Sequence, residues 1–79
     1  MSMLNPESNG FFMELKNTKD AIREFCGSSD TISQKMCKMK LDQYDAMLEV
    51  ASNHLASLTS TDKMLRYKKR VNDITDTYY

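Results

Sequence analysis

The sequence is poor in the residues that interrupt regular structure. Its 79 residues include one proline, two glycines and no tryptophan. So few turn-forming residues allow only a few chain reversals, which favours long helices. No apolar run approaches the roughly 20 residues that cross a bilayer, and the first residues lack the basic and apolar regions of a secretion signal. We therefore expect a soluble cytoplasmic protein with no membrane partner.

The sequence also has no net charge and only two cysteines. Eleven basic residues balance eleven acidic ones, so any binding to nucleic acid must be local. Cys26 and Cys37 are too few for a disulfide framework, and we expect them to be reduced. A single bridge between them remains open, and it would tie the end of one predicted helix to the start of the next. A chain of this size buries only about 60% of its unfolded surface, so a disulfide, a metal or a partner commonly supplements its core.

Three groups of turn-forming residues divide the chain. Between them, apolar residues recur at steps of three and four, the spacing of one face of an α-helix. The predicted fold is all-α, a small antiparallel three-helix bundle with a long central helix, in one domain over residues 1–79. The helices are predicted over about 6–26, 31–58 and 61–78, residues 1–5 as a flexible tail, and the turns at Asn5-Pro6, Gly27-Ser28-Ser29-Asp30 and Thr59-Ser60-Thr61.

Each predicted helix has a start signal and an apolar seam. Asn5 is predicted to cap the first helix, and either Ser60 or Thr61 the third. Thr31 and Gln34 have the spacing of a capping box at the start of the second. A change of register between the second and third seams predicts a turn rather than one continuous rod. The seams are Phe11, Leu15, Thr18, Ile22 and Phe25; Cys37, Leu41, Tyr44, Leu48, Ala51, Leu55 and Leu58; and Met64, Tyr67, Val71, Ile74 and Tyr78.

Few residues could carry catalysis. His54 is the only histidine, and it lies at the margin of the second seam. We expect it to satisfy a hydrogen bond rather than to act as a base or a ligand. Asp42, Asp45 and Glu49 share one edge of the second helix, where solvated charge is the expected explanation. The sequence therefore predicts no catalytic residue and no enzymatic activity.

A sulfur-rich stretch raises the question of a metal. Met36, Cys37 and Met39 could offer soft ligands to an ion such as Cu(I). However, Lys35, Lys38 and Lys40 surround them, and Cys37 already belongs to the apolar seam. We therefore predict packing or partner contact at this stretch, and neither a metal nor a cofactor.

The basic residues of the third helix form the densest charge cluster. Lys63, Arg66, Lys69 and Arg70 could contact nucleic acid or an acidic partner. Nearby aspartates and the neutral balance of the chain favour a solvated helix face instead. A nucleic-acid-binding regulator is therefore the alternative function.

Apolar residues outside the seams favour a binding function. In a small bundle they cannot all be buried, and an exposed apolar patch commonly marks an interaction site. The leading hypothesis is a non-enzymatic helical interaction module, of adaptor, inhibitor or co-chaperone type, which binds a partner protein or its own copy. No small-molecule substrate is evident. The predicted partner-binding residues are Met36, Met39, Tyr44, Met47, Leu48 and Leu55.

Overall fold

The computed structural model describes residues 5–76 and confirms the all-α fold. Three helices follow one another along the chain: α1 over Asn9–Cys26, α2 over Thr31–Ser57 and α3 over Thr61–Thr75. The described part contains no strand. None of these helices combines the length and the apolar character needed to cross a membrane. Most of the predicted tail, residues 1–4, lies outside the described residues, as does Tyr78 of the third predicted seam.

The first helix begins at Asn9, three residues later than the predicted bound of about 6. Asn5 forms a turn instead of a helix cap, because its side-chain oxygen accepts from the Glu7 amide at 3.0 Å and its carbonyl from the Ser8 amide at 2.9 Å. Ser8 is the N-cap of α1, and its hydroxyl accepts from the Phe11 amide at 3.2 Å. The end of the helix at Gly27 is confirmed. A side chain there would meet a backbone carbonyl at 3.1 Å, which explains the glycine.

The start of α2 also differs from the predicted capping box. Asp30, one residue earlier than Thr31, is the N-cap, and its carboxylate accepts from the Ser33 amide at 3.0 Å. Hydrogen bonds from Ser33 lower the pKa of the Asp30 carboxyl. Gln34 reaches back to the carbonyl of Ser28 rather than to the cap. A carboxylate is the stronger acceptor at the positive end of a helix, so it replaces the threonine hydroxyl.

Helix α3 begins as predicted but ends earlier than predicted. Ser60 caps its first turn. The helix stops at Thr75 rather than 78, because Asp76 adopts a left-handed conformation with φ of 58°. Lys19 binds the Asp76 carboxylate and also donates to the Ile74 carbonyl at 3.0 Å, so a cation of α1 closes the negative end of α3. The hydrogen bond from Lys19 lowers the pKa of Asp76.

Contacts between α1 and α2 show that the two helices run in opposite directions. The Thr18 hydroxyl lies 3.8 Å from the Met47 sulfur, halfway along both helices. The end of α1 meets the start of α2 through a disulfide between Cys26 and Cys37. The expectation of reduced cysteines is therefore wrong. Their Cα atoms lie 5.0 Å apart, a spacing that the antiparallel packing creates and that a disulfide requires.

Helix α3 returns alongside α1 in the same direction as α1. Near its start, the Tyr67 hydroxyl donates to the Pro6 carbonyl at 2.8 Å. Further along, Arg70 donates to the Asn9 side chain at 2.8 Å, and its guanidinium lies 3.9 Å from the centre of the Phe12 ring. The three helices thus alternate up, down and up.

The core forms where all three helices meet. Leu15 is fully buried at 0% exposure, and it belongs to the predicted seam of α1. The seam of α2 is wrong at Leu41, which is 43% exposed, whereas the adjacent Lys40 is half-buried. Phe12 lies outside the predicted seam of α1 but is buried against Tyr67. The buried apolar residues are Phe11, Phe12, Leu15, Met47, Ala51 and Tyr67.

Replacing the most buried leucine should destabilise the whole fold. We expect Leu15→Ala to lower the free energy of unfolding by about 2–5 kcal/mol, because it leaves a cavity between the helices. Chemical denaturation measures this loss. Met13→Ala is the matched control, since Met13 is 64% exposed on the same helix and should change stability little. Equal losses in both variants would contradict the described packing.

Removing the disulfide should lower stability without changing the helices. The bridge spans an 11-residue separation, for which loop-closure entropy gives a contribution of about 3 kcal/mol. We expect this loss in a variant carrying both Cys26→Ser and Cys37→Ser, measured by denaturation with circular dichroism. Wild-type protein in a dithiol reductant is the control, because it should match the variant. A variant as stable as the oxidised protein would contradict the bridge.

Candidate protein-interaction surface

The end of α1 and the first half of α2 extend beyond the reach of α3. Helix α3 ends beside Lys19, so it leaves a two-helix projection that we call the arm, residues 22–41. The disulfide lies within the arm. Three large apolar side chains of the arm are exposed: Ile32 at 75%, Met39 at 61% and Leu41 at 43%. The other exposed large apolar side chains of residues 5–76 lie on α1 and α3: Met13 at 64%, Leu65 at 60% and Met64 at 36%.

One edge of α2 faces α3. Leu48 and Leu55 lie on it and line a cavity of about 80 Å³ together with Tyr67 and Val71 of α3. Leu41 lies seven residues before Leu48, on the same edge, but α3 has ended at that level. This explains why one member of the predicted seam is exposed while its two successors pack against the core.

The opposite edge of α2 faces away from α3. Helical rotation of about 100° per residue places a row of residues there at steps of four and three. We call this row the outer edge. Ile32 and Met39 are its most exposed large side chains, and Met36 and Val50 are half-buried against the molecule. The outer edge consists of Ile32, Met36, Met39, Gln43, Ala46 and Val50.

The six predicted partner-binding residues separate into two groups. Met36 and Met39 lie on the outer edge. Met47 is buried in the core, and the other three pack partly buried against it. Periodicity shows which residues of α2 share a face, but not how α2 is rotated about its axis relative to α1 and α3. The sequence therefore could not decide which side of the apolar seam another helix covers. Binding by any of these residues stays a prediction. The three partly buried residues are Tyr44, Leu48 and Leu55.

Two of the predicted basic residues of α3 have partners within the molecule. Arg70 stacks on Phe12 and bonds to Asn9, and Lys69 pairs with Asp73 at 3.0 Å. These two cations therefore have intramolecular roles.

Three of the predicted basic residues line one open cleft. Lys63, Arg66 and Arg70 share this space of about 360 Å³ with Glu7, whose carboxylate offsets part of their positive charge. The loop before α1 brings Glu7 to this position. No local sequence pattern predicts that approach.

A polar cluster joins the first loop to α2 and α3. The His54 Nε2 atom lies 3.0 Å from a Glu7 carboxylate oxygen, and the His54 ring packs 4.8 Å from the Tyr67 ring. The prediction that His54 satisfies a hydrogen bond is confirmed. Burial, followed by the Glu7 charge, raises the pKa of Tyr67 to about 12. Sequence reasoning missed this cluster, since its members are far apart in the chain.

The acidic edge of α2 lies apart from this cluster. Asp42 is 3.8 Å from Lys38, within an exposed pair on the same helix, whereas His54 bonds to Glu7. Within residues 5–76, no group of three or more His, Cys, Asp or Glu residues could hold a metal ion. Cys37 of the sulfur-rich stretch is occupied by the disulfide.

Comparison with protein-family models, curated proteins and solved structures found no match to this chain.

The buried tyrosine gives a measurable titration. The pKa of Tyr67 rises from an ordinary 10.0 to about 12 on folding, so its neutral form contributes stability that is complete below pH 10 and lost as the pH rises through 12. We expect Tyr67→Phe to remove the highest tyrosine ionisation step, followed by ultraviolet absorbance. Losing the bond to Pro6 should also cost about 1 kcal/mol at neutral pH. If Tyr67→Phe instead removed a step near pH 10 and left a step near pH 12 in place, the burial of the Tyr67 hydroxyl would be contradicted.

Proposed function

We propose that this chain is a non-enzymatic interaction module that binds a protein surface through the outer edge of α2. The binding mode is helix packing, in which the apolar row of α2 is buried against a helix of the partner. The partner is another protein or a second copy of this chain. Neither a membrane nor a small-molecule substrate is part of this proposal.

The observation that carries the proposal is the exposure of Ile32 and Met39 on one edge of the arm, at 75% and 61%. Leaving large apolar side chains in water forgoes the free energy of their burial, about 1.5–3 kcal/mol for each. Methionine also adapts its shape to a partner at small cost, because its side chain is flexible and polarizable. The disulfide supports the same use, since it holds the two helices of the arm together where α3 does not.

The alternative function, a nucleic-acid-binding regulator, has weaker support. It requires the cations of α3 to contact phosphates together. Arg70 and Lys69 are engaged within the molecule, and the cleft of Lys63 and Arg66 contains the carboxylate of Glu7. The contacts of these residues therefore favour the first proposal.

The disulfide bears on the cellular location of this protein. The cytoplasmic location expected from the sequence remains a proposal. The bond between Cys26 and Cys37 is the observation against it, because cytoplasmic thiols are usually kept reduced.

Protein capture with matched variants tests the proposed function. The purified oxidised chain is immobilised and exposed to an extract of its native cells and to soluble copies of itself. We expect specific capture that falls at least tenfold when Ile32→Lys and Met39→Lys are combined, because two ammonium groups would then have to be buried in the interface.

A second double variant serves as the control. Leu65→Lys with Met13→Lys changes two residues that are 60% and 64% exposed on α3 and α1, and it should capture as the wild type does. Circular dichroism verifies that both variants fold. Capture that is equal for the two variants, or absent for the wild-type chain, would disprove the proposed function.

A further inference from the structure

We propose that the partner of the outer edge is a second copy of this chain. The two α2 helices pack antiparallel, and the twofold axis passes between their outer edges at the level of residue 41. This inference rests on the proposed function and specifies its partner. Its basis is the arrangement of residues along the outer edge, the signs of the charges beside that edge, and the position of α3 on the other side of α2.

The outer edge is complementary to itself when one copy is reversed. Its residues lie at equal distances on either side of Leu41, so an antiparallel pair of helices matches each residue with another residue of the edge. The steps of four and three between them are those of helices that pack along a seam. The matched pairs are Ile32 with Val50, Met36 with Ala46, and Met39 with Gln43.

This matching explains the single polar residue of the edge. In a parallel pair Gln43 would face another Gln43, and the two amides would need each other as hydrogen-bond partners. In the antiparallel pair Gln43 faces Met39, whose long side chain packs along the aliphatic part of the glutamine. The amide of Gln43 lies beside solvent, and Lys40 of the same helix already reaches its oxygen at 3.4 Å.

Charges beside the edge favour the same orientation. Lys35 and Glu49 flank the outer edge on the same side, at the positions that set orientation in paired helices. In antiparallel packing, the flank of one copy lies against the same flank of the other copy. Lys35 of each copy therefore faces Glu49 of the other, which gives two such pairs by symmetry. A parallel pair would instead bring Lys35 towards Lys40.

Near the axis Asp42 faces Asp42 and Lys40 faces Lys40. Lys38 at 3.8 Å offsets each Asp42 carboxylate, and each Lys40 donates to the Gln43 oxygen at 3.4 Å.

The rest of the molecule leaves room for this pairing. Helix α3 packs against Phe12 and Lys19 on one side of α1 and against Leu48 and Leu55 on one edge of α2. The outer edge is on the other side. Two further half-buried residues of α1, Ala21 and Phe25, lie on the side of α1 that faces away from α3. Pairing covers the outer edge of both copies, which faces away from α3.

Charge reversal tests the partner and its orientation together. Sedimentation equilibrium of the purified oxidised protein should show a dimer, and a non-reducing gel should show that it is not disulfide-linked. We expect Lys35→Glu or Glu49→Lys alone to raise the dimer dissociation constant about tenfold, because two attractive pairs become repulsive. The variant with both changes should restore wild-type affinity, since the pairs reform with exchanged signs.

Two controls make the result specific. Arg66→Glu reverses an exposed charge on α3 and should leave the dissociation constant unchanged. Met39→Lys should shift the dimer to monomer while circular dichroism shows intact helices. A dimer in which the double charge reversal restores nothing would overturn the antiparallel arrangement.

The inference and the proposed function fail in different ways. A wild-type chain that stays monomeric at millimolar concentration would overturn the self-pairing. If that monomer still captured another protein through Ile32 and Met39, the proposed function would hold with a different partner. If it captured nothing, both would be disproved.

Discussion

The length of α3 is the constraint on which most of this structure depends. At about 1.5 Å per residue, the 15 residues of α3 extend little more than half as far as the 27 residues of α2. One end of the α1–α2 hairpin can therefore form a three-helix core, whereas the other end consists of two helices with one apolar side uncovered. The left-handed Asp76 fixes this limit, and Lys19 secures it by binding both Asp76 and the last turn of α3.

The disulfide lies in the arm, where α1 and α2 have no third helix beside them. Two helices that pack side by side bury too little apolar surface to be stable alone in water. Phe25 and Met36 of the arm are only half-buried, so packing contributes less there than around Leu15. The bond between Cys26 and Cys37 limits the freedom of the unfolded chain instead of adding contacts. It thereby holds the two helices of the arm together while Ile32 and Met39 remain exposed.

The polar cluster at the other end of the bundle has a complementary role. Glu7, His54 and Tyr67 come from the first loop, α2 and α3, so their contacts join three parts of the chain that are distant in sequence. Tyr67 contributes an apolar ring to the core and a hydroxyl that fixes Pro6. Arg70 extends this end of the core by stacking on Phe12. One end of the molecule is therefore closed by internal contacts, whereas the other end leaves large apolar side chains exposed.

The sequence by itself determined the number of helices, their approximate bounds and the inward face of α1, because the periodicity of apolar residues reports directly on helical structure. It also indicated that Met36 and Met39 lie beside the apolar seam of α2 rather than in it. Tertiary structure alone decided that Met47 is buried, that Leu41 is exposed, and that Cys26 lies beside Cys37. Each of these depends on where a neighbouring helix begins or ends, and α3 ends at a residue whose left-handed conformation no periodic pattern specifies. The function proposed here follows from the side of α2 on which α3 packs, since the outer edge faces away from α3 and no helix of the described residues covers it.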